Sequence, residues 1–288
     1  MKAWAYDPEA LGPPPAGVEV VAEPGPDVEF VVPRWEDMPP LDEMPGLRVV
    51  QVLSAGVDWI TDRVPAGVTL CSARGSRDRA MAEWVMAAIL ADAKRARECA
   101  EQQARRHWEL VKLGDASNLR VLILGFGSIG RALATMLDAF DCEVVGVARR
   151  ARDGVHGTDE LPALLPEADV VVNLLPLTEA TRGAVGAREL AAMREGALYV
   201  NGGRGATTDT AALVEALRSG RIRAVLDVVD PEPLPGDHPL WTAPGVMISP
   251  HSAGDTPGAD RAAWALAAAQ LRRYAAGEEL HNVVSDGY

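Results

Sequence analysis

Leu119-Arg120-Val121-Leu122-Ile123-Leu124-Gly125-Phe126-Gly127-Ser128-Ile129-Gly130 is the stretch from which the fold is read. A nearly unbroken apolar run is what a strand covered on both faces requires. The glycines that follow it directly and open a helix form a GxGxxG turn in the context where that motif is informative. Gly125 makes the turn, Gly127 admits a pyrophosphate, and Gly130 lets helix pack on strand. The amides of Ser128 and Ile129 at the helix start then bind phosphate, assisted by the helix dipole.

Downstream the chain alternates as a parallel α/β sheet demands. Helix is expected over 128–140, 187–194 and 209–218, and strand over 119–124, 143–148, 169–175, 197–201, 223–228 and 246–249. Upstream, residues 18–58 hold short β-branched runs, at 18–21, 29–32 and 48–53, between Pro- and Gly-rich segments; this predicts a small, loop-rich domain. From Arg77 to about Glu109 the run is rich in Ala, Met, Leu, Arg and Glu and lacks Gly and Pro, which predicts one or two helices crossing between domains. An Ala-rich helix over 258–276 is placed to return to the small domain.

The 288 residues carry a formal charge of -13, which repels polyanions at long range, so neither nucleic acid nor an anionic membrane is an expected partner. Cys71, Cys99 and Cys142 are widely spaced, with no CxxC pair and no metal-ligand pattern. Their spacing suits packing residues in a reducing compartment. The N-terminal residues lack the apolar core of a secretory signal. The longest apolar stretch, 84–91, is far short of the roughly 20 residues that span a bilayer. A soluble, cytoplasmic protein is expected.

At the end of the second sheet strand an NAD site calls for a carboxylate on the ribose 2′-hydroxyl. Here the chain reads Ala148-Arg149-Arg150-Ala151-Arg152. Without the acid, and with Arg149 and Arg150 able to pair with a 2′-phosphate, NADP(H) is preferred over NAD(H). The alternative is a solvated basic loop in an enzyme of dual specificity.

Three further polar residues follow three strands: Arg204 in Asn-Gly-Gly-Arg-Gly, Glu232 in Pro-Glu-Pro, and His251 in Pro-His-Ser-Ala-Gly. Singly, Arg204 and Glu232 read equally as surface ion-pair members, and His251 as a capping or packing residue. Jointly they occupy the carboxyl ends of strands, where open α/β sheets bind ligands. Arg204 can grip a carboxylate and keto oxygen, His251 can donate a proton to a developing alkoxide, and Glu232 can hold His251 in its charged form. Asp227 can orient a nicotinamide or its carboxamide, or cap the turn that follows it.

With Ser54-Ala55-Gly56-Val57-Asp58, Ala82-Glu83-Trp84, Leu175-Pro176-Leu177-Thr178, Thr181-Arg182-Gly183, Asn201 to Gly205, Asp227-Val228, Glu232-Pro233-Leu234, Pro239-Leu240-Trp241 and Pro250 to Gly254, the chain resembles the D-isomer-specific 2-hydroxyacid dehydrogenase family over nearly its whole length. The resemblance implies an α/β fold of two domains, a Rossmann-type doubly wound parallel sheet plus a smaller discontinuous flavodoxin-like domain. The expected division is 1–93 with 257–288 as substrate domain and 94–256 as dinucleotide-binding domain. It implies Arg204, Glu232 and His251 as the catalytic set, with Ser54, Ala55 and Gly56 joining Arg204 and His251 on the substrate. To the glycine turn and Arg149 and Arg150 it adds Leu175, Pro176, Thr181, Gly202, Gly203, Arg204, Asp227, His251, Ala253 and Gly254 as cofactor residues. A homodimer formed largely through the cofactor domain is also implied.

The chain departs from the family in its short N-terminal domain, in Trp84 where histidine is common, and in Arg149 in place of the acid. The expected activity is hydride transfer between NADP(H) and a small 2-keto or 2-hydroxy acid, as in glyoxylate/hydroxypyruvate reductases. Two alternatives stand beside it: a dinucleotide-sensing regulatory protein on the same scaffold, disfavoured by the intact Arg/Glu/His set, and an NAD-dependent phosphoglycerate dehydrogenase-like enzyme, disfavoured because the chain ends at Tyr288 without a regulatory domain.

Overall fold

The computed structural model describes residues 1–285; the last three residues of the expected substrate domain lie outside the described residues. The chain divides into two units, Met1–Asp78 together with the chain from Asp255, and Arg79–Gly254. Each is built on its own parallel sheet.

In the first unit, β1 (Lys2–Ala5), β2 (Glu19–Val20), β3 (Val28–Val32), β4 (Val49–Gln51) and β5 (Thr69–Cys71) pair in the order β2-β1-β3-β4-β5, with α1 (Pro8–Leu11) after the first strand. All pairings are parallel. This is the flavodoxin-like doubly wound order. Successive side chains alternate between two cores, as the pleat requires: Trp4, Val31 and Val50 enter one, and Ala3, Phe30, Val32 and Val49 the other.

The second unit opens with α2 (Asp78–Ala93), of which only the first residue lies outside it, and α3 (Ala96–Ala104). The two helices are separated at Arg95, whose φ of 50° lies in the left-handed region. Then come β6 (Arg120–Leu124), α4 (Ser128–Asp138), β7 (Glu143–Val147), α5 (Leu161–Leu164), β8 (Val170–Asn173), α6 (Ala187–Ala192), β9 (Leu198–Asn201), α7 (Thr210–Arg218), β10 (Arg223–Leu226) and β11 (Val246–Ile248). The strand order is β11-β10-β9-β8-β6-β7, all parallel. A single parallel bridge between Val147 and His156 stands where one more edge strand would lie. Counting it, the order is 3-2-1-4-5-6-7: the Rossmann 3-2-1-4-5-6, with the third strand reduced to one residue pair, and β11 as a seventh strand beyond the sixth.

Helices cover both faces of this sheet. Leu122 and Leu124 face α5, α6 and α7, while Val121 and Ile123 face α2 and α4. Ala82, Val85, Met86 and Ile89 of α2 share that second core with Leu133 and Leu137. The seam therefore falls at Asp78–Arg79 rather than at 93–94, because α2 buries its apolar face on the second unit's sheet. The return seam lies at Gly254–Asp255, two residues before the expected position.

The last helix, α8 (Pro257–Ala276), belongs to the first unit, where Ala267 and Leu271 pack with Leu11 and Phe30. Its start is set by Thr256, whose hydroxyl accepts from the Ala259 amide, and by Pro257 in the first turn. Gly277, at φ 68°, ends it in the left-handed conformation.

Candidate active site

The carboxyl ends of β6 and β8 mark the point where strand order reverses in the second unit, which is where doubly wound sheets bind ligands. Gly125 turns the chain there with φ of 85°, and its amide and that of Phe126 both donate to the Val147 carbonyl at 3.0 Å. A Cβ on Gly125 would stand 2.7 Å from the Leu174 carbonyl oxygen. The protein itself therefore demands that glycine. Gly127 differs: a Cβ there would meet nothing nearer than the Gly125 carbonyl at 3.9 Å. Gly127 is also the N-cap of α4, and no side chain caps the helix. The backbone is left bare where a pyrophosphate would need to approach the amides of Ser128 and Ile129, so the turn fits a dinucleotide.

Arg149 and Arg150 are exposed just past the end of β7. The segment then folds back through the Arg152–Val155 bridge, bringing His156 beside Val147, and His156 Nδ1 lies 2.7 Å from Glu160 Oε2. Arg152 Nη2 donates to the Phe126 carbonyl at 2.8 Å, fastening this basic segment to the glycine turn. Arg152 was not among the expected site residues. Its place in the Arg-Arg-Ala-Arg run was visible, but not the backbone fold that aims it.

Glu232 and His251 come together after β10 and β11. His251 Nδ1 lies 2.8 Å from Glu232 Oε2, and Glu232 Oε1 accepts the Val229 amide at 2.9 Å. His251 has a φ of 53°, unusual for a non-glycine residue. Its amide donates to the Asp227 carbonyl at 2.8 Å. The Asp227 carboxylate, buried, accepts from Ser249 Oγ at 2.6 Å and from the amides of Ser252 and Ala253 at 2.9 and 3.0 Å. Asp227 thus caps the turn after β11 that carries His251, and not the turn that follows Asp227 itself.

Burial pushes the Glu232 carboxyl up, but hydrogen bonds from His251 and the Val229 amide, with the charges of His251 and Arg204, outweigh it and leave it below its ordinary value. The hydrogen bond to Glu232 raises the His251 imidazole; burial opposes, as does Arg204, while the Glu232 and Asp227 charges assist. Arg204 therefore acts electrostatically on both partners. Its Nη1 also donates to the Gly203 carbonyl at 2.9 Å.

The remaining expected residues of this unit lie on the same edge. Leu175 and Pro176 follow β8; the Thr181 hydroxyl closes their loop on the Pro176 carbonyl at 2.5 Å. Gly202 and Gly203 follow β9, Met81 and Trp84 of α2 abut Gly202, and Ala253 and Gly254 follow His251. Ser54, Ala55 and Gly56 belong to the other unit, where Ser54 Oγ donates to the Gly56 carbonyl at 2.7 Å and accepts from Trp59 Nε1 at 3.0 Å. Missing from the expected set are Asn173, Tyr199, Asn201, Thr207 and Thr208, a buried cluster beneath Arg204. Two of them end apolar strand runs in Asn, a signal the sequence did carry. Among the described residues no group of His, Cys, Asp or Glu is arranged to hold a metal ion, and no helix is long and apolar enough to cross a membrane.

A Rossmann sheet with a bare glycine turn and a His–Glu pair on the same edge defines a nicotinamide dinucleotide-dependent oxidoreductase. The family model for D-isomer specific 2-hydroxyacid dehydrogenase, NAD binding domain, matches residues 86–253. The chain belongs to that family. It is 36% identical over 226 residues to a glyoxylate/hydroxypyruvate reductase B of Escherichia fergusonii, covering 73% of this chain and 69% of that one. To a glyoxylate reductase of Aeropyrum pernix it is 34% identical over 262 residues, 85% and 78% of the two chains. Among solved structures it is similar to a D-isomer specific 2-hydroxyacid dehydrogenase from Xanthobacter autotrophicus Py2 in complex with NADPH and MES, with a TM-score of 0.87, 32% identity and coverage of 100% and 99%. An NADPH-dependent glyoxylate/hydroxypyruvate reductase from Sinorhizobium meliloti, in complex with NADP and sulfate, gives a TM-score of 0.86 at 30% identity, with full coverage of both chains.

The shifts of the His–Glu pair set a pH window. The His251 part is complete below the ordinary histidine value and is lost as pH rises through the raised one; the Glu232 part is complete above the ordinary carboxyl value and is lost as pH falls through the lowered one. The ion pair accordingly persists between the two. In a ring-proton NMR titration, His251 should titrate above about 6.5, and Glu232→Gln should move that midpoint down; an unchanged midpoint would show that the carboxylate does not hold the imidazolium.

Proposed function

We propose that the chain reduces a small 2-keto acid to the D-2-hydroxy acid with NADP(H), in the manner of a glyoxylate/hydroxypyruvate reductase. The observation that carries this is the 2.8 Å His251–Glu232 contact in the same unit as the glycine turn, under the charge of Arg204. The nicotinamide, when bound, supplies the hydride. Arg204 holds the substrate carboxylate and polarises the keto oxygen. As hydride reaches the keto carbon, His251 gives the proton on Nε2, the ring nitrogen opposite Glu232, to the oxygen; the imidazole is left neutral beside the carboxylate. Oxidation of the hydroxy acid reverses each transfer.

Relatives named as glyoxylate and hydroxypyruvate reductases, and solved structures holding NADPH or NADP, support this activity and cofactor. His251→Ala should lower kcat with glyoxylate and NADPH by about 10²- to 10⁴-fold, the span of general acid catalysis. Undiminished turnover, or none by the native protein with any of a panel of 2-keto acids, would sink the assignment and favour a sensing role.

Arg149 and Arg150, at the end of β7, are the residues that select the 2′-phosphate. Replacing both with Ala should weaken NADPH binding roughly 10- to 100-fold, as expected for loss of charge-assisted hydrogen bonds, and leave NADH binding nearly unchanged. A native kcat/KM as good with NADH as with NADPH would refute the preference.

The working form is a homodimer in a reducing, cytoplasmic setting. None of the residues of α3 is buried, and beyond it Trp108 and Leu110 are 100% and 95% exposed. Two large apolar side chains this exposed, two residues apart, suit a covering surface, and a second copy of the chain supplies it. Light scattering should find a dimer that Trp108→Glu with Leu110→Glu converts to monomer; a native monomer at micromolar concentration would exclude this.

A further inference from the structure

Few polar side chains are buried among the described residues, and four of them, Asn173, Asn201, Thr207 and Thr208, join Tyr199 in one hydrogen-bonded cluster. Asn173 and Asn201 are register partners at the ends of β8 and β9. Each does the same thing: its Oδ1 accepts the amide two residues on, Leu175 and Gly203 respectively, at 3.0 Å. Their Nδ2 groups point the donor side inward. Asn173 donates to Tyr199 Oη at 2.9 Å and to Thr207 Oγ1 at 2.8 Å, and Asn201 donates to Thr208 Oγ1 at 3.2 Å and to the Arg204 carbonyl at 3.3 Å. Tyr199 Oη and Thr208 Oγ1 lie 2.6 Å apart.

Thr207 gives the cluster a direction. A hydroxyl has one hydrogen, and Thr207 Oγ1 uses it on the Arg204 carbonyl at 2.6 Å while accepting from Asn173. The Thr207 amide donates to the same carbonyl at 3.2 Å. The Arg204 backbone is thus gripped by Thr207 twice and by Asn201 once. Through Asn173 the grip continues to the Leu175 amide, on the neighbouring loop.

Packing alone does not call for this arrangement. A single buried hydrogen bond contributes modestly to net stability, and apolar groups of the same shape in place of both partners can be nearly neutral, whereas a fully satisfied network rigidifies the core that holds it. What a network fixes better than an apolar core is geometry.

Resting on the assignment of Arg204 above, we propose that Thr207 and Asn173 are positioning residues for Arg204: their hydrogen-bonded chain fixes the backbone from which the guanidinium projects and ties it to the Leu174–Pro176 loop. Thr207→Val keeps the shape and removes the hydroxyl; Thr207→Ser keeps the hydroxyl and removes the methyl. With glyoxylate and NADPH, Thr207→Val should lower kcat/KM about tenfold, chiefly through a higher KM for glyoxylate, with the NADPH Kd from fluorescence titration unchanged. Thr207→Ser should behave as the native enzyme. In amide hydrogen exchange, which needs no substrate, residues 203–208 should exchange faster in Thr207→Val and not in Thr207→Ser.

Arg204→Lys separates the two levels. A crippled Arg204→Lys beside a Thr207→Val with native kinetics would overturn the positioning role alone. Native kinetics in Arg204→Lys would overturn the Arg204 assignment and the kinetic role of the tie with it. Equal kinetic losses in the Ser and Val variants would mean that any change at Thr207 disturbs the site and the hydroxyl has no special part, and a lowered Tm in both with unchanged kinetics would confine Thr207 to stability; either result overturns the proposal. If the native chain reduces none of a panel of 2-keto acids, the proposed activity falls, and the exchange measurement still decides whether Thr207 holds the Arg204 backbone.

Discussion

The edge of the second unit's sheet depends on backbones lying against one another more closely than side chains allow. A Cβ on Gly203 would stand 2.6 Å from the Leu175 carbonyl oxygen, and one on Gly205 would overlap the Val229 carbonyl. The loop after β9 is therefore pressed between the loops after β8 and β10. Gly125 makes the same kind of contact from the β6 loop to Leu174. The loops after β6, β8, β9 and β10 are stacked backbone on backbone, and the glycine turn, Arg204 and Glu232 ride on them. Interiors packed this tightly transmit displacement rather than absorb it, so the spacing between the glycine turn, Arg204 and the His–Glu pair is a property of the stack and not of any one loop.

Much of this was legible in the residues because burial on both faces leaves a plain mark. Val121 to Leu124, Val170 to Val172 and Leu198 to Val200 are apolar without interruption, and polar residues at their ends fall where a parallel register delivers them to one edge. Elements that lack that mark escaped. β1 reads Lys-Ala-Trp-Ala, with no β-branched residue, and β5 has three residues. Their strand state comes from neighbours, not local preference. The seam at Asp78 was hidden for a related reason: the apolar face of α2 shows that the helix is buried but not on which sheet. The Asn173–Thr207 cluster depends on two strands being in register, which no local window contains.

The basic segment after β7 works against the charge of the whole chain. With a net charge of -13, the mean field repels an anionic dinucleotide, so attraction has to be local. At physiological salt the Debye length is about 8 Å, short enough for Arg149, Arg150 and the amides of α4 to govern a phosphate lying among them while distant carboxylates are screened. Arg152 contributes differently. Its guanidinium is committed to the Phe126 carbonyl, which makes the basic segment and the glycine turn one surface instead of two.

The His251–Glu232 pair is half-exposed, and pairs of that kind add little to stability. Its setting is nevertheless expensive in conformational terms. His251 is held at positive φ, where residues other than glycine are disfavoured, and Ser249, His251, Ser252 and Ala253 all bond to Asp227. Four hydrogen bonds into one buried residue are more than a surface turn requires for its own sake. They are what keeps the imidazole against the carboxylate, and that contact is the largest influence raising the His251 pKa. The strained His251 backbone and the buried Asp227 carboxylate thus lie together, beneath the imidazole that Glu232 holds. The pair is best understood as a device for setting a proton, with Asp227 as its mount.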